Sequence, residues 1–504
     1  MPPTTTTTTT TTPPASPADT TPPLSEGRRK VAFAVCLATI VLAVLDMQIV
    51  SAATVPIVRD LDPAHGVDKI PWLVSAYALA GAAILPLYGK LCDALGAARV
   101  FVAAVTVFLL GSALCGAAQS MGQLIAARAV QGVGGGGLMS ITMVVIAQLK
   151  GAGGKSSGPG GIGGIVAGGG MALGPWLGGL LADHASWRWI FYVNLPVGIA
   201  VLAASGLVLK LPRQAGARHS IDYPGAALAA AFSVALLLVT DWGGKDYAWS
   251  SPVVVGLIAA AAATLALFLW RQARAAEPVL PLSMFRIPQL RLGFAIQALT
   301  GAAMMCVIYY VLVYLQVARG VSSSSAGLYL LPMAAGMTAV GLLSGRLATR
   351  GWSARTFTIG GTATTAVAFA LLATVGPDTS LWLVRAELLL AGAGFGQLIG
   401  QLIQLAQDSA PRHQLGVATT SIRFFQTLGN AVGTALFGAV LLRLYAAEGP
   451  GGDVGAIPGL TGEAHAAAVR AYVDATDVVF LCGAGIMLLG TVLALRLPRR
   501  SHRP

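Results

Sequence analysis

Long apolar runs recur along the chain from Val31 to Leu497, separated by short polar or charged segments. A run of about 18 or more residues is long enough to cross a hydrocarbon core of ~30 Å as a helix, whereas the strands of a membrane barrel would show short alternating segments. The pattern therefore predicts an all-α membrane protein. Its predicted spans lie at 31–56, 70–90, 98–118, 121–149, 160–182, 190–210, 222–241, 252–270, 291–317, 325–348, 355–375, 381–408, 414–442 and 477–497.

Composition indicates the surroundings of these helices. Of the 504 residues, 55% are hydrophobic and 10% are charged, whereas soluble domains carry about 25% charged residues. This number of charges is too small to cover a surface in water, and most of the surface must therefore face lipid. The net charge of +12 would also fit a nucleic-acid-binding protein. The basic residues flank the spans, however, so we expect a lipid bilayer and no nucleic acid as partner.

The distribution of Lys and Arg predicts the orientation. With the N-terminus inside, 22 of the 32 basic residues fall on the inner side, 7 on the outer side and 3 within spans. Cytoplasmic loops are enriched in Lys and Arg. The asymmetry predicts a multi-pass protein of the cell membrane with both termini in the cytoplasm.

A short internal repeat divides the chain. Gly89-Lys90-Leu91 follows the second span and Gly345-Arg346-Leu347 follows the tenth, at an offset close to that between the first and ninth spans. Two helical bundles related by a parallel repeat produce this pattern. We predict a disordered Thr/Pro-rich cytoplasmic tail (1–30), an N-terminal six-helix bundle (31–210), an inserted helix pair with linkers (211–290), a C-terminal six-helix bundle (291–497) with an extracellular loop at 446–476 that ends in a short surface helix, and a cytoplasmic tail (498–504).

Metal and cofactor chemistry is not indicated. The five cysteines are scattered and mostly inside apolar runs, and the six histidines lie in predicted loops or tails. Neither a metal site nor a cofactor is predicted. If protons cross the membrane through this protein, carboxylates must carry them.

Several segments have distinctive spacing. Span 5 contains a run in which small residues four apart allow close helix packing and Pro175 favours a kink. This run is Gly170-Met-Ala-Leu-Gly174-Pro175-Trp-Leu-Gly178-Gly179, and it is followed by Trp187-Arg-Trp-Ile-Phe-Tyr-Val-Asn194-Leu-Pro196. The other segments are Gly89-Lys-Leu-Cys-Asp93-Ala-Leu-Gly96-Ala-Ala-Arg99, Arg128-Ala-Val-Gln131-Gly132-Val-Gly134 and Leu45-Asp46-Met-Gln48-Ile49-Val50-Ser51.

With these motifs the chain resembles the fourteen-helix drug:proton antiporters of the major facilitator superfamily (QacA/EmrB-like), from about Val31 to Leu497. The resemblance implies the major facilitator fold, with two six-helix bundles and two inserted helices. It also implies a proton-coupled antiporter, not an enzyme, that exports hydrophobic drugs, antibiotics or metabolites by alternating access. We expect it to function as a monomer whose partners are protons and a small hydrophobic molecule.

The resemblance also assigns roles to two motifs. The antiporter motif GxxxGPxxGG, which in the family is thought to seal the exchange path against leak, is matched by Gly170, Gly174, Pro175, Gly178 and Gly179. Simple helix packing is the alternative. The gating-loop motif is matched by Gly89, Asp93 and Gly96. Alanine stands at three positions where basic residues are expected and Arg99 is displaced by one, so the charge network of this loop is thinned.

Asp46 is the one clear acid deep within a predicted span. Charges within a bilayer cost about 2.5–3.5 kcal/mol on insertion scales and are therefore functional candidates. At 1.5 Å per residue, Asp46 lies ~14 Å from the outer end of span 1 and Arg128 ~10 Å from the outer end of span 4. We predict that Asp46 carries the proton and that Arg128 tunes its proton affinity. A static pair that only holds the two spans together is the alternative.

A second set of polar residues is predicted to line a substrate cavity. Span 12 carries Gln397, Gln401 and Gln404 on one face, and span 13 carries Arg423, Thr427 and Asn430 on one face. The predicted cavity also includes Tyr309, Tyr310, Gln48, Gln131 and Gln316. Hydrogen bonding between helices and ordinary core packing are the alternatives.

Two other functions fit the sequence less well. An uptake symporter would have the same fold, but the family associates the span 5 motif with exchange. A membrane-embedded enzyme needs paired metal ligands or a nucleophile with its base, and no predicted span carries such residues at that spacing. The sequence leaves cationic, neutral and anionic substrates open.

Overall fold

The structure is a computed structural model. It describes residues 26–63, 69–150, 177–178, 180–181, 184–208, 221–244, 246–321, 323–448, 454, 457 and 460–498. Within these ranges the chain is helical, and its sixteen α-helices are α1 (Glu26–Ala52), α2 (Thr54–Leu61), α3 (Ile70–Leu95), α4 (Ala97–Gly116), α5 (Met121–Lys150), α6 (Trp189–Tyr192), α7 (Asn194–Val208), α8 (Tyr223–Trp242), α9 (Pro252–Arg274), α10 (Pro288–Val317), α11 (Ser323–Ala326), α12 (Leu331–Thr349), α13 (Ala354–Leu372), α14 (Leu381–Ser409), α15 (Leu415–Glu448) and α16 (Gly462–Leu495).

Twelve helical segments of the described residues are long and apolar enough to cross a membrane. They coincide with twelve of the predicted spans, and the span predicted at 160–182 lies almost wholly outside the described residues. The span predicted at 355–375 corresponds to α13, which is rich in threonine. Thr358, Thr362 and Thr365 each donate to the carbonyl four residues earlier at 2.8 Å. These bonds satisfy the hydroxyls within the helix, so its polar residues are compatible with a membrane.

The first group of helices packs around the glycine-rich α5, which contacts α3, α4 and α1, while α7 contacts α1 and α4. Glycine is required where the backbones meet. A Cβ on Gly136 would lie 2.1 Å from Cα of Gly81, and one on Gly134 would lie 2.2 Å from N of Phe108. The glycines of α5 therefore allow α3 and α4 to approach at backbone distance.

The second group comprises α10 and α12 to α16. Helix α14 packs against α12 and α13, and α10 packs against α15 and α16. A Cβ on Gly392 would lie 2.0 Å from the carbonyl oxygen of Met333, and one on Gly429 would lie 1.9 Å from that of Ala298. Both groups therefore use the same close packing through glycine.

Helices α8 and α9 pack against each other, and α8 contacts α3 of the first group and α15 of the second. Polar contacts fasten this pair. Asp222 accepts a hydrogen bond from Nε of Arg271 at 2.9 Å, and Asp241 accepts one from Ser75 at 2.8 Å. The pair therefore lies beside the seam between the two groups.

The C-terminal region differs from the sequence prediction in one respect. An extracellular loop was expected at 446–476 with a short surface helix at its end, but α15 continues to Glu448 and α16 begins at Gly462. The segment expected to form a separate surface helix is the first part of α16. No Gly or Pro interrupts residues 463–482, so nothing in the chain ends the helix before it enters the apolar span.

Candidate functional site

Asp46 and Arg128 form an ion pair within the first group of helices. Nη1 of Arg128 lies 3.1 Å from Oδ2 of Asp46, and both residues are 1% exposed. The two charges are thus neighbours on α1 and α5, at the similar depth that the sequence indicated. A buried pair of this kind is strongly destabilised when only one partner is removed, because the other charge stays buried.

Amide groups complete the surroundings of the Asp46 carboxylate. Its Oδ1 accepts from Nε2 of Gln131 and from Nδ2 of Asn194, both at 2.7 Å. Gln131 in turn accepts from Nη1 of Arg128 at 2.7 Å, and Ser112 lies within hydrogen-bonding distance of both amides, at 3.2 and 2.9 Å. Three N–H donors, one of which belongs to a cation, suit the ionised carboxylate. We call Asp46, Arg128, Gln131, Asn194 and Ser112 the acid cluster.

The acid cluster links five helices. Asp46 lies on α1, Ser112 on α4, Arg128 and Gln131 on α5, and Asn194 at the start of α7. Arg128 also reaches α3, because its Nε donates to the carbonyl of Leu73 at 3.0 Å and its Cζ lies 4.3 Å from the ring centroid of Tyr77. The Asp46 carboxylate is therefore connected, directly or through its hydrogen-bond partners, to α3, α4, α5 and α7.

Three members of these surroundings have no assigned role in the sequence analysis. Asn194 appears there only as part of a motif, and Ser112 and Tyr77 do not appear in any motif. The polar residue in the otherwise apolar start of α7 was the one available signal for Asn194. Gln131 was predicted to line the substrate cavity, but its amide is fully buried and bonded within the acid cluster.

The two groups of helices are held together where α3 ends and α15 begins, which we call the Asp93 end. The Asp93 carboxylate accepts from the backbone N–H groups of Gly416 and Val417 at 2.7 and 2.9 Å. These are unsatisfied donors in the first turn of α15, where the helix dipole also favours a negative charge. Gln407 adds a bond from its Nε2 to the carbonyl of Met143 at 3.2 Å. The contacts close this end between the groups.

The other gating-loop residues differ in their contacts. Gly89 lies against α15, where a Cβ would be 2.1 Å from Oγ1 of Thr420 and 2.8 Å from Cα of Val417. Gly96 has φ +91° between α3 and α4, a conformation that favours glycine. Arg99 is exposed. Among the described ion pairs, the basic residue of this loop that has a partner is Lys90, which lies 2.8 Å from Glu277.

The antiporter motif lies mostly outside the described residues. This applies to Gly170, Gly174, Pro175 and Gly179, whereas Gly178 is described and buried. The role of the motif stays a prediction. The side chain of Gln48, which was predicted to line the cavity, also lies outside the described part of the chain.

The remaining predicted cavity residues are distributed between several environments. Gln397 faces α13, because a Cβ on Gly360 would lie 2.8 Å from its Oε1. Tyr310 is 2% exposed within the core of the second group, while Tyr309 is 46% exposed. Gln316 is exposed near the end of α10. These four residues therefore do not form one site.

Helices α14 and α15 bring Gln404 and Arg423 to the same level, and Gln401 lies about one turn further along α14. Nε2 of Gln407 lies 3.3 Å from Oγ1 of Thr419, and the two helices run antiparallel. About one turn further from the Asp93 end, α14 carries Gln404 and α15 carries Arg423, so these two residues lie at the same level. Asn430 lies further along α15, and its amide group contacts the carbonyls of Gly301 and Gln426 at 2.9 and 3.2 Å.

An exposed ion pair marks the opposite end of the first group. Arg188 and Trp187 donate to Oδ2 of Asp60 at 2.6 and 2.9 Å. These hydrogen bonds, that from Arg188 foremost, hold the pKa of Asp60 below its ordinary value. The pair fixes α2 to the segment that precedes α6.

We expect Asp60→Asn to lower the melting temperature slightly, and only where Asp60 is ionised. A carboxyl with a lowered folded-state pKa contributes stability above its unfolded pKa of about 3.9 and loses it as the pH falls through the folded value. The difference between wild type and variant should stay constant from pH 8 to pH 5 and shrink below about pH 4. Thermal unfolding of both purified proteins across this pH range measures the difference in melting temperature. A difference that grows on acidification would contradict the ion pair between Asp60 and Arg188.

Comparison with known proteins agrees with this architecture. Residues 35–434 match the Major Facilitator Superfamily. The chain is 36% identical over 493 residues to the uncharacterized MFS-type transporter Rv1877 of Mycobacterium tuberculosis, covering 94% of this chain and 70% of that protein. It is 34% identical over 397 residues to the multidrug transporter protein MdtP of Bacillus subtilis, covering 79% and 72%. Its fold matches that of the proton:xylose symporter XylE with a TM-score of 0.62 at 13% identity, covering 94% of this chain and 96% of that one.

Twelve membrane-length helices among the described residues, together with the match to the Major Facilitator Superfamily, identify the class of this protein as a multi-pass membrane transporter and not an enzyme. The chain belongs to the major facilitator superfamily. The predicted all-α fold of this superfamily is thereby confirmed.

Proposed function

We propose that this protein is a proton-coupled antiporter of the fourteen-helix drug:proton branch, which exports hydrophobic drugs, antibiotics or metabolites across the cell membrane. The acid cluster is the observation that supports proton coupling most directly. The similarity to MdtP of Bacillus subtilis, whose name describes a multidrug transporter, supports the substrate class. The span 5 motif GxxxGPxxGG supports exchange over uptake.

Asp46 is the proposed proton carrier. We assign the ionised form to the described state, because Arg128, Gln131 and Asn194 all donate to the carboxylate. Protonation removes its attraction to Arg128 and converts one carboxylate oxygen from an acceptor to a donor. The guanidinium then keeps its hydrogen bonds to Gln131 and to the carbonyl of Leu73, and its contact with the ring of Tyr77. The contacts of α1 with α5 and α7 weaken, and this bias favours the alternative arrangement of the two groups.

The proposed cycle places the Asp93 end in the cytoplasm, as the distribution of basic residues predicts. The described state is then closed towards the cytoplasm. Asp46 takes up a proton from outside, the Asp93 contacts open, and the proton is released inside when the carboxylate regains its partners. Substrate moves outward through a cavity between the two groups of helices.

Transport by the purified protein tests this proposal. In proteoliposomes with the protein oriented outside-out, an inward proton gradient should drive a fluorescent substrate out of the vesicle against its concentration gradient. A protonophore should reduce the rate to that of protein-free vesicles. A screen of dyes and antibiotics identifies the substrate beforehand. Export of the substrate at the same rate with and without a protonophore would contradict proton coupling. Transport of substrate in the same direction as protons would identify a symporter.

A further inference from the structure

Arg423 is a basic residue deep within the second group of helices. It is the ninth residue of α15, so it lies ~12 Å from the start of that helix at 1.5 Å per residue. The Asp93 contacts with Gly416 and Val417 lie nearly two turns closer to the helix end. Arg423 retains accessible surface at this depth. Its side chain is therefore only partly enclosed by its neighbours.

The guanidinium of Arg423 hydrogen-bonds to an uncharged side chain. Its Nη1 donates to Oε1 of Gln426 at 2.8 Å. Among the ion pairs of the described residues, none involves Arg423. Arg128, the other arginine of comparable depth, is neutralised by Asp46. Arg423 thus leaves one positive charge unbalanced in the membrane interior, and a guanidinium retains further N–H donors for a ligand.

Amide groups without partners lie at the same level. A Cβ on Gly293 would be 3.8 Å from side-chain atoms of both Leu405 and Ile422, so α10, α14 and α15 meet there. One turn further from the Asp93 end, these three helices carry Gln297, Gln401 and Gln426.

Within the described chain, both amide atoms of Gln297 and of Gln401 lack a hydrogen-bond partner, as does Oε1 of Gln404. Gln297 and Gln401 are 0% and 1% exposed. Buried amides are normally hydrogen-bonded, so these side chains offer donors and acceptors to a ligand at the level of Arg423.

We infer that Arg423, with Gln297 and Gln401, binds the carboxylate of an anionic amphiphilic substrate. A guanidinium matches a carboxylate with two parallel N–H donors, and the amide NH2 groups supply further donors. Uncharged amphiphiles would leave the positive charge unbalanced, and cationic ones would be repelled by it. The inference rests on the proposed function and narrows its substrate class from hydrophobic molecules in general to those that carry a carboxylate.

Three matched probes test the charge preference. N-dansylglycine carries a carboxylate, N-dansylglycinamide is neutral, and N-dansylethylenediamine carries an ammonium group on a similar frame. Binding is followed by dansyl fluorescence with the full chain in lipid nanodiscs, without a pH gradient, after subtraction of empty nanodiscs. Wild type should bind N-dansylglycine about tenfold or more tightly than either other probe, as expected for charged hydrogen bonds.

Variants at Arg423 assign the preference to this residue. Arg423→Gln keeps a polar side chain and should reduce the preference to within about twofold, and Arg423→Lys should retain part of it, because it keeps the charge but not the planar fork. Arg443→Gln is the matched control, since Arg443 lies on the same helix but is exposed near its far end. It should leave the preference unchanged. Size-exclusion profiles and melting temperatures check that each variant is folded.

The outcomes separate this inference from the proposed function. Equal binding of the three probes by wild type, tighter binding of the ammonium probe, or no binding of the carboxylate probe overturns the anion site, whether or not Arg423→Gln folds. A preference that persists in folded Arg423→Gln overturns it as well. None of these results affects proton coupling, which is measured with a gradient. Conversely, loss of coupling with the carboxylate preference intact would leave the anion site in place.

Discussion

Replacing Asp46 with Asn is expected to reduce pH-gradient-driven transport to the level of protein-free vesicles. Asparagine keeps the size and one acceptor oxygen of the side chain, but it cannot take up and release a proton. The substitution also leaves Arg128 buried without its counter-ion, which costs about 3–5 kcal/mol when a buried pair is broken. A lower melting temperature should therefore accompany the loss of transport.

A double variant separates the two effects. Asp46→Asn combined with Arg128→Gln removes both charges and should recover much of the lost stability, because no unpaired charge stays buried. Transport should stay uncoupled from the proton gradient, since the carboxyl is still missing. Asp60→Asn is the matched control: it makes the same chemical change at an exposed acid of the same group of helices and should transport normally.

Initial rates in proteoliposomes, with and without a proton gradient, measure these effects. Normal gradient-driven transport by the folded Asp46→Asn variant would eliminate Asp46 as the proton carrier. Recovery of coupled transport in the double variant would instead indicate that the Asp46–Arg128 pair is only a structural contact between α1 and α5.

Substituting Gly89 with Ala is expected to destabilise the state in which the Asp93 end is closed. The new Cβ would lie 2.8 Å from Cα of Val417, a backbone atom that cannot move aside without displacing α15. Overpacking of this kind costs about 1–3 kcal/mol, which corresponds to a change of about 5- to 150-fold in the ratio of closed to open molecules. Transport should fall because one half of the cycle becomes poorly populated.

Distances between spin labels at the exposed positions Arg99 and Arg350 would report this shift. In Gly89→Ala, a larger share of molecules should show the longer of the label–label distances, which corresponds to an open Asp93 end. The native cysteines are replaced before labelling. Gly256→Ala is the matched control, because a Cβ on Gly256 of α9 meets nothing within 4 Å. An unchanged distance distribution and an unchanged transport rate in Gly89→Ala would show that this contact does not limit closure.

The acid cluster illustrates what could be predicted from the chain. The depth of Asp46 and Arg128 in two apolar runs followed from counting residues, because a membrane helix advances by a constant rise. The hydrogen bonds that Ser112, Asn194 and Gln131 make in the acid cluster could not be predicted in this way. Their bonds depend on how α4, α5 and α7 are rotated about their axes, and that rotation is set by backbone contacts such as that of Gly134 with Phe108.

The cavity predictions show the same limit. A periodicity argument places Gln397, Gln401 and Gln404 on one broad helical face, yet Gln397 lies against α13 while Gln404 lies on the side towards α15. Each helix of the second group has neighbours on several sides, so a shared face does not mean a shared site. Gln297 was not predicted, because a single glutamine in an apolar run carries no pattern.

The amino-acid sequence alone establishes an all-α membrane protein, because runs of this length and apolarity can satisfy their backbone in lipid only as helices. It also determined which residues carry charge into the membrane. The packing of the helices settles which charges are neutralised: Asp46 and Arg128 are paired, and Arg423 hydrogen-bonds to a neutral amide. That outcome depends on the close packing of helices through glycine, a contact between distant parts of the chain that no local pattern encodes.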